Sequence, residues 1–154
     1  MIKMNKPIPR RHQNIVKVFK NKILGLLARN CISNSLRIFL YRLSGVKIGK
    51  NVFIGIETFL DDQFPHLISI SDNTVIAFRA ILVVHDMRNT INPITIKKNS
   101  YVGCGAIILP GVVVGENSFV ASGSVVTKDV KPGIIVAGVP ARFLKKMNKE
   151  IKYN

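Results

Sequence analysis

Acidic residues are missing from the first third of this chain. No Asp or Glu occurs before Glu57, although the 154 residues carry 23 Lys and Arg against 8 acids, a formal net charge of +15. That imbalance excludes a self-neutralised surface at the N-terminal end. It calls for something anionic: a phosphorylated cofactor, a lipid-linked phosphate, an anionic membrane surface or nucleic acid. Tryptophan is absent and aromatics make up 7% of the chain, which argues against a bulky core and for a narrow one filled by Ile and Val. The two cysteines, Cys31 and Cys104, form no CxxC and no disulfide framework, so a reducing, cytoplasmic setting is expected. The longest apolar run near the start, Ile23–Ala28, is interrupted by Gly25 and falls far short of the ~20 residues needed to cross a bilayer. The opening MIKMNKPIPRRHQN has charge but no apolar run behind it, so no signal peptide is expected. With only His12, His66 and His85, the chain lacks the three-histidine set of a zinc hydratase, and no metal is expected.

What is present is a rhythm. Val102, Ile108, Val114, Val120 and Val126 are β-branched aliphatics six residues apart, all but Ile108 followed by a small or polar residue. A helix repeats at 3.6 and a strand at two, so a period of six fits neither. It marks a β-helix in which each hexapeptide forms one side of a coil. Inward side chains then stack roughly 4.8 Å apart on their equivalents in the next coil, and stability accumulates by repetition.

The rhythm starts at Ile48, continues through Ile54 and Leu60, and slips by four residues before Ile70. Ile76 and Leu82 follow on time; a second slip, eight residues long, precedes Ile96. The two slips predict loops at 63–69 and 85–95, thrown out from a rigid scaffold where function usually sits. His85 stands at the mouth of the larger loop, placed either as a general base near neutral pH or as a hydrogen-bonded turn residue.

Ahead of the coil, a loose arm (1–13) precedes amphipathic segments from Asn14 to about Leu43. Ile15, Phe19, Ile23 and Leu27 share one face; Ser35 is the expected cap of a second helix burying Leu36, Phe39, Leu40 and Leu43. Two readings fit: packing over the open end of the coil, or a basic helix on a membrane surface. Behind the coil, GVPAR presents Arg142, and FLKKMNKEIKYN reads as a short basic helix. Arg142, Lys145, Lys146 and Lys128 make a cationic end suited to phosphates. The organisation expected is therefore 1–44 as a basic arm with helices, 45–136 as the coil, and 137–154 as the GVPAR turn with a C-terminal helix.

The strings VGENSFVASGSVVTKDVKPGIIVAGVPARFLKK and LYRLSGVKIGKNVFIG, with the loop histidine, resemble the left-handed β-helix, hexapeptide-repeat acyltransferases. The likeness is strongest to their sugar O-acetyltransferase branch and covers about Gly45 to Lys146. The resemblance implies a homotrimer of parallel prisms with active sites between subunits and acetyl-CoA along the groove. His85 would be the base that activates a hydroxyl of a sugar or glycan precursor for direct attack on the thioester. It carries Cys104, Gly105, Ser122, Thr127, Lys128, Arg142 and Lys145 over as cofactor contacts. Glu57, Asp61 and Asp62 are offered as contacts to an acceptor sugar or as groups that orient His85, and Asp86 as a polarising neighbour of His85. The chain departs from the branch at Val83-Val84-His85, where glycine or Thr-Gly often precedes the histidine, so lactose or maltose is not the simple expectation. Antibiotic acetylation on the same scaffold, and a non-catalytic basic scaffold, stand as alternatives. No nucleic-acid-reading motif is present. A peripheral position at the inner membrane face is compatible with the basic N terminus.

Overall fold

The computed structural model describes residues 15–86 and 91–147. Residues 1–14, 87–90 and 148–154 lie outside them, and with them the expected arm at 1–13, part of the expected loop at 85–95 and most of the expected C-terminal helix.

Two helices come first, α1 (Ile15–Asn30) and α2 (Asn34–Ser44). Gly45, in the left-handed region at φ 113°, ends α2, and its N–H donates to Arg42. Ser33, not Ser35, caps the second helix, its side chain accepting from Leu36 N–H. Thirteen short strands follow in regular order: β1 (Lys47–Ile48), β2 (Phe53–Ile54), β3 (Phe59–Leu60), β4 (Ile68–Ile70), β5 (Val75–Ile76), β6 (Ile81–Leu82), β7 (Ile94–Ile96), β8 (Tyr101–Val102), β9 (Ile107–Ile108), β10 (Val113–Val114), β11 (Phe119–Val120), β12 (Val125–Val126) and β13 (Ile134–Ala137).

They wind into a three-sided parallel prism. One face stacks β1-β4-β7-β10, the second β2-β5-β8-β11-β13 and the third β3-β6-β9-β12. Register follows the sequence rhythm. Ile48 pairs with Ile70, Ile70 with Ile96 and Ile96 with Val114 on the first face. Leu60, Leu82, Ile108 and Val126 align on the third. All the inward aliphatics from Ile54 to Val126 are buried. Side chains of this size contribute roughly 1.5–3 kcal/mol each when removed from water.

The corners need special backbone. Asn51, Asn73, Asn99 and Asn117 occupy one corner with φ of 52–55° and bond side chain to side chain in a ladder at 3.1–3.2 Å. Elsewhere glycine is required for space. A Cβ on Gly55 would sit 2.4 Å from Phe78 N, and one on Gly103 2.5 Å from Ser122 N.

The helices do cover the open end of the prism, but with the face opposite to the one the apolar pattern implies. Polar side chains dock. Asn34 brackets the second face, Nδ2 donating to Val52 O and Oδ1 accepting from Ile54 N–H. Tyr41 donates to Thr58 O at 2.6 Å, and buried Arg37 donates to the carbonyls of Ile54 and Cys31. Along α1 the buried residues are Asn21, Gly25 and Ala28, small enough for close approach. Phe19, Ile23, Leu27, Leu36, Phe39 and Leu43 are exposed, and Leu40 is half-buried.

At the far end the expectation of a helix after GVPAR is corrected. Arg142–Lys146 is a strand, β14, antiparallel to β13. Hydrogen bonding decides it: β13 is the last strand of its face, and β14 takes up the unpaired edge that a helix would leave open.

Candidate active site

Both interruptions of the repeat open at the same corner, because Leu60 and Leu82 each close the third side of their coil. The loop after β3 and the loop after β6 therefore stack one above the other. The first contains a single 3₁₀ turn, Pro65–Leu67. The second is pinched shut at its base, where His85 bridges Ile91 and Asn92 N–H donates to Val84 O at 2.9 Å.

This stacking sets a carboxylate behind the imidazole. Asp61 Oδ2 lies 2.5 Å from His85 Nδ1. Asp61 is 1% exposed, and three backbone amides hold it: Gln63 and Phe64 donate to Oδ1, and Val84 donates to Oδ2 at 3.1 Å. A buried carboxylate with that many donors is fixed as an acceptor. Nδ1 then carries the proton, and Nε2 keeps its lone pair. Phe64 meets the imidazole edge-on at 5.8 Å between centroids. The His85 side chain stays 30% exposed.

Asp86 follows His85 at the loop mouth, yet the carboxylate on Nδ1 belongs to Asp61 on the neighbouring coil. Asp62 lies half-buried beside Gly25 of α1. Glu57 pairs with Arg79 at 2.5 Å on a different corner, and Arg79 in turn covers the Phe78 ring. His66 is held below the ordinary imidazole range by partial burial, then by the nearby charges of Lys17 and Lys47.

The cofactor positions fall into two groups. Cys104, Gly105 and Ser122 line the corner between the second and third faces on successive coils, with Gly123 N–H donating to Cys104 O at 2.8 Å. Cys104 and Ser122 are exposed. Burial, then the neighbouring Cys104, raises the Tyr101 phenol. Gly105 and Gly123 face open space, and their φ of 65° and 68° accounts for glycine there. The second group closes the C-terminal end. A cleft of about 490 Å³ is lined by Lys128, Lys131, Arg142 and Lys146, with Asp129 as its acid. Thr127 is exposed on the same corner, and Lys145 lies on β14 outside the cleft lining. Within one chain, His85 and the Cys104–Ser122 column occupy different edges of the prism. Among the described residues no three His, Cys, Asp or Glu are grouped to hold a metal ion.

Sequence reasoning missed Phe64 and left the role of Asp61 open. The signal was available: both slips follow the third hexapeptide of a coil, so the residues flanking them must stack.

A three-sided parallel prism wound from hexapeptides is the architecture of the hexapeptide-repeat transferase class. Comparison with known proteins agrees. Residues 93–128 match the bacterial transferase hexapeptide (six repeats) family. The chain is 36% identical over 120 residues to galactoside O-acetyltransferase of Escherichia coli, covering 71% of this chain and 58% of that one. It is 32% identical over 133 residues to the putative acetyltransferase YvoF of Bacillus subtilis, covering 84% of this chain and 77% of that one. The solved structure of a galactoside acetyltransferase in complex with coenzyme A superposes with a TM-score of 0.66 at 25% identity, over 92% of this chain and 86% of that one. The chain belongs to the hexapeptide-repeat transferase family and has its left-handed β-helix fold.

Proposed function

We propose that this protein is an acetyl-CoA-dependent O-acetyltransferase acting on a hydroxyl of a sugar or glycan precursor. The observation that carries the reading is the Asp61–His85 pair at the convergence of the two loops. Supporting it are the coenzyme A complex of the galactoside acetyltransferase and the O-acetyltransferase relative in Escherichia coli.

In the proposed reaction, His85 Nε2 takes the proton of the acceptor hydroxyl as its oxygen attacks the thioester carbonyl. The carbon–sulfur bond breaks, and the imidazolium returns the proton to the departing thiolate. The acetyl ester and free coenzyme A balance the equation. Asp61 holds the ring in the tautomer the step requires and steadies the transient imidazolium. Binding both substrates in one groove supplies the orientation.

The groove is proposed to form between protomers of a homotrimer. Two outer faces of the prism support this. The second carries Phe53, Val75, Tyr101, Phe119 and Ile135 outward, with Tyr101 and Phe119 stacked at 4.5 Å. The third carries Phe59, Ile81, Ile107 and Val125 outward. The first shows Lys47, Ser69, Thr95 and Val113, a face suited to water. A cytoplasmic site of action follows from acetyl-CoA as donor; no helix among the described residues is long and apolar enough to cross a membrane.

The test is acetyl transfer from acetyl-CoA to a panel of free sugars, nucleotide-activated sugars, lipid-linked oligosaccharides and aminoglycosides. Transfer to a sugar hydroxyl is expected, with His85→Ala slower by ~10²-fold or more. His85→Ala working at the wild-type rate would remove the base and overturn the reading.

A further inference from the structure

The helix faces turned to solvent are the apolar ones, and they are edged with positive charge. Successive helical residues turn by about 100°. Ile15, Phe19, Ile23, Leu26 and Leu27 therefore gather on the side of α1 opposite the buried stripe of Asn21, Gly25 and Ala28. Phe19 is 65% and Leu26 54% exposed. Lys20 edges that stripe on one side, and Lys22 with Arg29 on the other. On α2, Leu36, Phe39 and Leu43 form a second exposed apolar row, reached through Ile32 in the connection at 94% exposure. The polar docking through Arg37, Asn34 and Tyr41 fixes this orientation.

An apolar stripe between cationic flanks suits a helix lying in the interface of an anionic bilayer, its apolar side in the acyl boundary and its lysines at the headgroups. Charge decides between lipid and a second copy of the chain. No acid occurs before Glu57, so two such faces meeting would bring lysines together unanswered. Five of the chain's eight acids are already engaged: Glu57 with Arg79, Asp61 with His85, Glu116 with Lys98, Asp72 with Lys50 N–H and Asp129 with Val113 N–H. Anionic lipid offers the missing charge together with an apolar phase.

We propose that α1 and α2 form a docking surface for an anionic membrane, holding the prism at the bilayer by its N-terminal end. The proposal is independent of acetyl transfer. It is tested by flotation of the full chain with vesicles of phosphatidylcholine, with and without about one-third phosphatidylglycerol. Binding to the anionic vesicles is expected, weakening as salt is raised, and at least about ten-fold weaker to phosphatidylcholine alone. Phe19→Glu/Ile23→Glu, at exposed positions the fold does not need, lowers partitioning by about ten-fold or more. Lys20→Glu/Lys22→Glu lowers it while leaving the apolar stripe intact. Light scattering on the same variants reads the assembly. No partition into anionic vesicles, or undiminished partition of both double variants, overturns the proposal. So does a fall of the wild-type assembly to smaller species in Phe19→Glu/Ile23→Glu, which assigns the face to a contact between copies.

Discussion

Asp61 Oδ2 stands 2.5 Å from His85 Nδ1, and the two residues come from corner loops of consecutive coils. The contact joins a buried carboxylate to a partly exposed imidazole, so proton direction is fixed before any substrate arrives. Asp61→Asn breaks this arrangement. The amide has one acceptor oxygen for donors now shared between two: Gln63 and Phe64 N–H on one side, Val84 N–H and His85 on the other. We expect kcat to fall by about 10²-fold, within the range for losing a general base, with the KM for acetyl-CoA nearly unchanged. Steady-state kinetics checks it, with a melting curve confirming that the variant is folded. A full wild-type kcat in Asp61→Asn would mean the carboxylate holds the loop and not the base.

The prism was legible because inward packing repeats without exception. Ile96 through Val126 keep the period, and even the two slips, of four and eight residues, appear as the long connections 61–67 and 83–93. The Asp61–His85 pair was only half legible. The period places both residues beside loops, but contact between them depends on the third side of successive coils sharing a corner. The helices misled for a different reason. An apolar stripe is ordinarily the buried one; here Arg37, Asn34 and Tyr41 satisfy open backbone groups of the first coil, a demand that apolar side chains cannot meet. The C-terminal segment misled similarly, since the unpaired edge of β13 outweighs local helical preference in Phe143-Leu144-Lys145-Lys146.

Two glycines separate crowding from backbone conformation. Alanine at Gly55 drives a Cβ to 2.4 Å from Phe78 N, where the next coil's backbone has no room to move. Alanine at Gly123 meets nothing within 4 Å and suffers only from φ of +68°. Gly55→Ala should cost about 3 kcal/mol, the upper end for overpacking, and Gly123→Ala about 1 kcal/mol. Urea unfolding of the two variants gives the comparison; equal costs would show that the coils slide apart to accept the methyl.

Arg37 is 1% exposed and donates to carbonyls of the first coil and of the α1–α2 connection. Arg37→Met keeps the volume but strands those acceptors, each worth roughly 1–3 kcal/mol when buried and unpaired. A loss of about 2–4 kcal/mol is expected, appearing first as faster proteolysis within α1 and α2. A variant as stable and as protease-resistant as the parent would mean that α2 is held by packing alone.

Arg142 faces the cleft at the end of the prism together with Lys128, Lys131 and Lys146. Four cations against Asp129 make a site whose charge matches a phosphate monoester far better than a neutral group, and the guanidinium adds directional donors. If this end receives the 3′-phosphate of coenzyme A, its contribution is made equally in ground and transition states, so it belongs in KM and not in kcat. Arg142→Glu should raise the KM for acetyl-CoA by about ten-fold, equivalent to about 1.4 kcal/mol, and leave kcat close to that of the parent. The parent should prefer coenzyme A to dephospho-coenzyme A, and the variant should lose that preference. Measuring both donors with both proteins isolates the phosphate from every other contact. A parent that binds the two equally well would leave these cations serving something other than the donor.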